Sequence, residues 1–148
     1  MTSPVESGVV ALVVSRGDVR VAEVVEAAAT QSVRPDEILL LDCLGDGTAR
    51  ADSCRIINTC GARTLSDAIR SAQRLNDDSM DSARWWWILH DDSIPEATCL
   101  EELWEVADRG RTIAAVGPKQ VSEDGTVLLE VGIFATASAR SLDRKSVV

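Results

Sequence analysis

The chain has 148 residues and a mass of 15.9 kDa, which is enough for a single domain that buries a hydrophobic core. Its 45% hydrophobic and 26% charged residues are typical of a soluble globular protein. The net charge of −9 argues against nucleic acid as a partner, because duplex binding depends on clustered Lys and Arg. The sequence shows neither the ~20-residue apolar run of a membrane-spanning helix nor a secretory signal, so we expect a cytoplasmic location.

The cysteines favour reduced thiols over a metal or redox site. None is spaced as C-x-x-C, and three of the four lie beside or inside apolar runs, as structural cysteines do. We therefore expect free, mostly buried thiols at Cys43, Cys54, Cys60 and Cys99.

Continuous aliphatic runs predict the strands of the first half. Residues 9–14 (VVALVV) and 38–41 (ILLL) lack polar alternation, which is typical of strands buried on both faces. Between them, Asp18 is placed to cap a helix with one apolar face, formed by Val21, Val24, Val25 and Ala28. A Gly-rich polar loop over residues 43–52 then leads to a short strand at 55–58.

Three further elements are predicted in the middle of the chain. Thr64 and Asp67 have capping-box spacing, although Asp replaces the usual Glu or Gln. The helix they open buries Leu65, Ala68, Ile69 and Ala72. Residues 76–82 are predicted to be a polar linker, followed by a Trp-rich strand at 85–89.

The last predicted elements are one helix and two strands. The helix has Gly110 as its stop and one apolar face, formed by Leu100, Leu103, Trp104 and Ala107. A fifth strand is predicted at residues 113–116 and an outlying sixth at 127–134. This alternation predicts an α/β domain with a mostly parallel sheet, helices on both faces, and ligands at the carboxyl ends of the strands.

The triplet His90-Asp91-Asp92 directly follows the Trp-rich strand. Adjacent carboxylates repel each other, and a cation relieves that repulsion. Mg²⁺ or Mn²⁺ suits such oxygen ligands and bridges them to substrate phosphates. An equally good interpretation is a solvated turn, in which Asp92 or Ser93 caps the next helix.

Asp42 also ends an apolar strand, and Gly45 and Gly47 follow it closely. Its carboxylate is placed to accept hydrogen bonds from a nucleobase or from ribose, with the glycines letting the backbone approach the ligand. The alternative is an Asx turn that only reverses the chain. Asp42 and Asp92 point to a ligand site when taken together, because neighbouring strand ends converge on one cleft.

The four tryptophans favour core packing over sugar stacking. Strand alternation sends Trp86 to one face, and Trp85 and Trp87 to the other, where helices should cover them. One ring at the strand end would still be able to reach the cleft.

The order of these motifs resembles the inverting glycosyltransferases of family two, which have the GT-A fold. The matching stretches are Gln31 near the end of the first helix, RPDEILLLD at residues 34–42, and GARTLSDA at residues 61–68. HDDSIPE at residues 90–96 is similar to the family's D-x-D signature, and AAVGPK at 114–119 resembles its next element. Each motif is moderately specific, and the ordered set covers nearly the whole chain.

The resemblance implies a role for each strand-end residue. Asp42 would contact the base or ribose of a nucleotide sugar, Asp91 would lie near the ribose and sugar, and Asp92 would bind Mg²⁺ or Mn²⁺. Ser15 and Arg16 hold the position that lines the base pocket. Arg63 would approach the nucleotide, or serve only as a surface charge before a helix. UDP-sugars are the commonest donors in the family.

Two departures from the family pattern limit what is implied. His90 replaces the first acid of the D-x-D triplet, and it would help to hold the metal or the nucleotide, or else pack. No acidic residue matches the family's catalytic base. We therefore expect residues 1–148 to be one nucleotide-sugar-binding domain, truncated before the acceptor-binding half.

Two further interpretations follow from the same sequence. A sheet edge left open by truncation would favour a homo-oligomer. The alternative function is a non-catalytic doubly wound domain, either a degenerate transferase or a binder of nucleotide or protein. A phosphoacceptor signalling domain is disfavoured, because Ser15-Arg16-Gly17 stands where its acidic pair would be.

Overall fold

The computed structural model describes residues 8–75, 77–130, 133–135 and 141–143. The chain divides into two compact units, Met1–Glu101 and Glu102–Val148. Each unit has its own β-structure: a parallel sheet in the first and antiparallel strand pairs in the second.

Four parallel strands form the sheet of the first unit: β1 (Val9–Ser15), β2 (Glu37–Asp42), β3 (Arg55–Asn58) and β4 (Trp85–His90). Their order is β3-β2-β1-β4, and each neighbouring pair is parallel. Every residue of β1 is buried, which explains why this strand lacks polar alternation. The prediction of an α/β fold with a parallel sheet is confirmed.

The helices are α1 (Val21–Ala29), α2 (Leu65–Leu75), α3 (Asp77–Ser82) and α4 (Cys99–Asp108). Strands β2 and β4 lie on opposite sides of β1. Right-handed crossovers therefore put α1 on one face of the sheet and the α2–α3 pair on the other. Helix α1 contacts β1 and β2, whereas α2 contacts β2 and β3.

The hydrophobic core beneath α2 and α3 is built from alternate residues of the strands. Ala68, Ala72 and Met80 come from the two helices, and each is at most 1% exposed. The strands and the loop after β2 supply Val10, Leu12, Val14, Leu39, Leu41, Cys43 and Ile57. The predicted apolar face of α1 is also buried at all four positions, so the pattern is confirmed there.

The starts of α1 and α2 differ in how well the sequence predicts them. The capping box of α2 is confirmed: the Asp67 N–H donates to Thr64 Oγ1 over 3.1 Å, and the Thr64 N–H donates to Asp67 Oδ2 over 3.2 Å. Its first residue, Leu65, is 37% exposed, so the prediction that it is buried was wrong. Asp18 is not the cap residue of α1; it makes an Asx turn by accepting the Arg20 N–H over 2.8 Å.

Two predictions near β4 were wrong, each for its own reason. Residues 77–82 form α3 and not a linker, because Met80 is buried in the core. Trp86 is 37% exposed on the same side of the sheet, and its indole N–H donates to the Met80 carbonyl over 3.0 Å. Strand β4 lies at the end of the sheet, where helices α2 and α3 leave Trp86 and Ile88 partly uncovered. On the opposite face, Trp87 is buried as predicted.

The second unit contains two short antiparallel pairs within its described residues. Strand β5 (Gln120–Val121) pairs with β6 (Leu128–Glu130), and β7 (Ile133–Ala135) pairs with β8 (Ser141–Asp143). The predicted strand at 113–116 was wrong, since these residues have no regular secondary structure. The predicted strand at 127–134 is divided between β6 and β7, which belong to different hairpins.

The β5–β6 turn yields a prediction about Asp124. Its Oδ1 accepts hydrogen bonds from Ser122 Oγ and from the N–H and hydroxyl of Thr126, and these bonds lower the carboxyl pKa from 3.8 to about 2. Because the folded pKa is depressed, the stabilisation is fully present above about pH 4 and is lost as pH falls through about 2. Carboxyl-carbon NMR titration should show this pKa, and Ser122→Ala should raise it towards 3.8. A titration near 3.8 in the parent would contradict the turn geometry.

The thiols are more exposed than predicted. All four cysteines are free, but only Cys43 is buried; Cys54 and Cys99 are half-buried and Cys60 is exposed. Burial, with a smaller contribution from the Asp52 charge, raises the pKa of the Cys54 thiol. In the described part of the chain, no helix has the length and hydropathy required to span a bilayer.

Candidate functional site at the carboxyl edge of the sheet

The strand register brings three polar residues into one row at the carboxyl edge of the sheet. Ser15 is paired with Asp42, and Asp42 with Asn58. His90 is paired with Val14, the residue before Ser15. Because side chains alternate along a strand, His90 lies on the opposite face from Ser15 and Asp42. The edge therefore carries Ser15, Asp42 and Asn58 on one face, with His90 on the other.

Asp42 is anchored through only one of its carboxylate oxygens. Oδ1 accepts the N–H groups of Leu44, over 3.1 Å, and Gly45, over 2.9 Å, so the Asx-turn interpretation of this residue is correct. Its Oδ2 accepts no hydrogen bond from the described residues, although the residue is only 3% exposed. Among the described residues, no buried side-chain oxygen lacks a partner, so Oδ2 must reach solvent. Oδ2 is therefore a slightly solvent-accessible acceptor without a hydrogen-bond partner among the described residues.

Gly45 lets the loop after β2 pass close to the end of β3. Its φ of +67° lies in the left-handed region. A Cβ added there would lie 2.5 Å from the Cβ of Cys60 and 2.9 Å from Oδ1 of Asn58. The glycines were predicted to let the backbone approach a ligand. At Gly45, however, the backbone approaches the protein's own residues. Gly47 also has a positive φ, of +71°, but a Cβ there would meet nothing within 4 Å.

Asp91 is anchored in the same one-sided way. Its Oδ2 accepts the N–H groups of Arg16, over 2.7 Å, and Asp18, over 3.1 Å, and the residue is 7% exposed. Its Oδ1 accepts no hydrogen bond from the described residues and must also reach solvent. The carboxylate binds the backbone N–H groups that precede α1. In many nucleotide-binding α/β proteins, the N–H groups at this position bind a phosphate.

Arg16, whose N–H donates to Asp91, follows Ser15 in the chain and also bonds to Arg63. Ser15 is fully buried, and its Oγ accepts the Gly17 N–H over 3.2 Å, so its hydroxyl supports the loop. The Arg16 guanidinium donates to the Arg63 carbonyl, which ties the β1–α1 loop to the segment before α2. Both arginine residues are exposed. Both carry a positive charge that an anionic ligand at this loop could use.

His90 and Asp92 are the exposed members of the triplet His90-Asp91-Asp92. Asp92 Oδ1 accepts the Ser93 hydroxyl over 3.1 Å, and the Ser93 N–H donates to the His90 carbonyl over 3.3 Å, which forms a turn. Within the described ranges, no three His, Cys, Asp or Glu side chains are grouped to hold a metal ion. A cation here would therefore have at most two such side chains as ligands, with ligand oxygens and waters completing its shell. That sparse protein donor set is compatible with Mg²⁺ or Mn²⁺ bridging to a phosphate.

Two anchoring residues were missed as such by sequence reasoning. The side-chain amide of Gln31 forms hydrogen bonds with Glu96 and Leu100, which lie 65 and 69 positions further along the chain. Ser32 bonds the same distant segment. A polar residue after an apolar helix carries no local signal of such a contact, because its partners are set by the tertiary fold.

No protein-family model, curated protein or solved structure matches this chain. The parallel sheet and its helices identify an α/β fold. The likeness to family-two glycosyltransferases remains a likeness of ordered sequence motifs.

Proposed function

We propose that this chain carries the donor-binding part of a metal-dependent glycosyltransferase with the GT-A fold, and that it binds a nucleoside-diphosphate sugar. The observation that supports this most is the pair Asp42 and Asp91. Each is more than nine-tenths buried, is held through one oxygen by two backbone N–H groups, and keeps the other oxygen open to solvent.

Such carboxylates suit the nucleoside half of the donor. Ribose hydroxyls and the N–H groups of a base are hydrogen-bond donors, and a carboxylate only accepts. Because backbone bonds already fix both side chains, little further ordering is needed when a ligand binds. Asp42 would meet the base or ribose, and Asp91 the ribose or sugar.

The diphosphate half requires positive charge from elsewhere, since the chain has a net charge of −9. Arg16 and Arg63 supply part of it. Asp92, with His90, would hold Mg²⁺ or Mn²⁺, which would neutralise charge on the departing nucleoside diphosphate. UDP-sugar is the donor that we propose first, and the acceptor and the catalytic base remain unassigned.

A second candidate is a binding domain without turnover. It is favoured by one observation: the Asp91 carboxylate fills the backbone N–H site before α1. Asp91 and Asp42 both support loops, so their presence is explained without any reaction. The two candidates differ in whether sugar is transferred or the ligand is only held.

Calorimetric titration of UDP and of GDP, with and without Mn²⁺, tests the proposal. We expect UDP to bind only when Mn²⁺ is present, because the acidic edge repels a diphosphate without a cation. Binding of GDP instead would keep the site and change the base. Failure of both nucleotides to bind a demonstrably folded sample would refute the donor-site proposal.

A further inference from the structure

The connection between β4 and α4 is fastened at two points along α1. At the start of α1, Asp91 accepts the N–H groups of Arg16 and Asp18. At the other end, Gln31 and Ser32 bond to residues 96–101. A nine-residue helix is about 13 Å long, so the connection is held at points separated by roughly that distance. Its middle, which includes Asp92, Ser93 and Ile94, is exposed.

Gln31 makes the most extensive of these contacts. It is 3% exposed, and its Nε2 donates to the carbonyls of Ala27, over 3.0 Å, and Glu96, over 2.7 Å. Its Oε1 accepts the Leu100 N–H over 2.9 Å. Leu100 is in the first turn of α4, where N–H groups lack an intrahelical acceptor. Gln31 therefore caps α4 from a distant part of the chain and at the same time holds the end of the acidic connection.

Ser32 adds two bonds beside it. Its N–H donates to the Ala97 carbonyl over 2.8 Å, and its Oγ donates to Glu101 Oε2 over 2.6 Å. The amide of Gln31 is the buried part of this attachment, whereas Ser32 is exposed. Loss of the Gln31 amide would thus leave the connection attached firmly at Asp91 and only weakly at its other end.

We infer that Gln31 is a positioning residue for Asp92, acting through Glu96 and Leu100. This inference rests on the proposed function, because it concerns the carboxylate assigned to the metal. A connection attached at both ends presents Asp92 in a restricted set of positions before a ligand arrives. Without Gln31, the metal and the nucleotide would have to order the connection as they bind, and affinity would fall.

The test compares Gln31→Met with Gln73→Met. Methionine has nearly the shape of glutamine but lacks its donor and acceptor groups. Gln73 lies on α2 and is half-buried, and its side chain forms no hydrogen bond with a described residue, so its replacement controls for the chemical change. Amide hydrogen exchange is measured well below the unfolding temperature, and the affinity for UDP with Mn²⁺ is measured on the same samples.

In Gln31→Met, we expect exchange about tenfold faster at Cys99 and Leu100, with no change in β1 or β2. We expect affinity for UDP with Mn²⁺ to fall about tenfold, as is typical when a residue supporting a metal ligand is lost. Gln73→Met should show neither effect. A variant too unstable to study would be replaced by Ser32→Ala, with smaller changes expected at the same amides and in the same affinity.

Two results would overturn the inference: exchange that rises equally in the core strands, or faster local exchange with unchanged affinity. The first makes Gln31 a residue of general stability, and the second separates it from Asp92. If the parent binds no nucleotide, the proposed function fails, and with it the assignment of Asp92 as a metal ligand. The exchange pattern still distinguishes that case, because a localised change would show that Gln31 orders the connection whatever the connection binds.

Discussion

Replacement of Gly45 by alanine is expected to lower the free energy of unfolding by about 3 kcal/mol. A φ of +67° costs a non-glycine residue roughly 1 kcal/mol. The new Cβ would also lie 2.5 Å from the Cβ of Cys60, so backbone must move, and such overpacking costs about 1–3 kcal/mol more. Urea unfolding followed by tryptophan fluorescence measures the change.

Gly47→Ala is the matched control for this prediction. The two glycines share a loop and a positive φ, but the space around Gly47 is open. We expect its replacement to cost only about 1 kcal/mol, from backbone strain alone. Equal losses in the two variants would mean that the contact with Cys60 is unimportant. The Gly45 N–H also holds Asp42, so Gly45→Ala should weaken any nucleotide binding as well.

The first half of the fold could be predicted from the sequence because its signals are local. The aliphatic run of β1 is buried throughout, and the apolar positions of α1 face the core, as their spacing indicates. The capping box formed by Thr64 and Asp67 is likewise a short-range pattern. In these elements, periodicity and capping alone determine what each residue contacts.

The elements that were predicted wrongly depend on tertiary neighbours. Residues 77–82 look like a linker because they are acidic. They nevertheless form α3, in which one side chain, that of Met80, is buried in the core. Residues 113–116 are apolar enough for a strand, but a strand forms only with a partner. Trp86 stays partly exposed because its strand is at the end of the sheet, which no pattern within the strand reveals.

The candidate site shows the same division. The sequence places Ser15, Asp42 and His90 at strand ends, and the register brings Ser15 and Asp42 side by side. It does not reveal that Asp42 and Asp91 each use one oxygen to hold a loop. Structural and ligand-binding roles are therefore not alternatives for these residues, because the two oxygens of one carboxylate can divide them.

That division predicts opposite effects for two adjacent residues. Asp91→Ala should lower the free energy of unfolding by about 3 kcal/mol, because the N–H groups of Arg16 and Asp18 lose a charged acceptor in a buried position. Asp91→Asn keeps an acceptor oxygen of the same shape, so it should recover most of that loss. Asp92→Ala should leave stability essentially unchanged, since the side chain is exposed and accepts only the neighbouring Ser93 hydroxyl.

For nucleotide binding, we expect the larger effect from Asp92, the residue whose loss leaves stability unchanged. Asp92→Ala should abolish the Mn²⁺-dependent binding of UDP while remaining as stable as the parent, because a metal held by so few side chains cannot lose its carboxylate. Asp81→Asn, an exposed change near the opposite edge of the sheet, should affect neither property. If Asp92→Ala binds UDP as well as the parent does, the metal assignment is wrong. If Asp91→Ala is as stable as the parent, the Asp91 carboxylate does not anchor the loop before α1. The proposal that Asp91 offers a preformed hydrogen-bond acceptor to the nucleotide sugar would then lose its support.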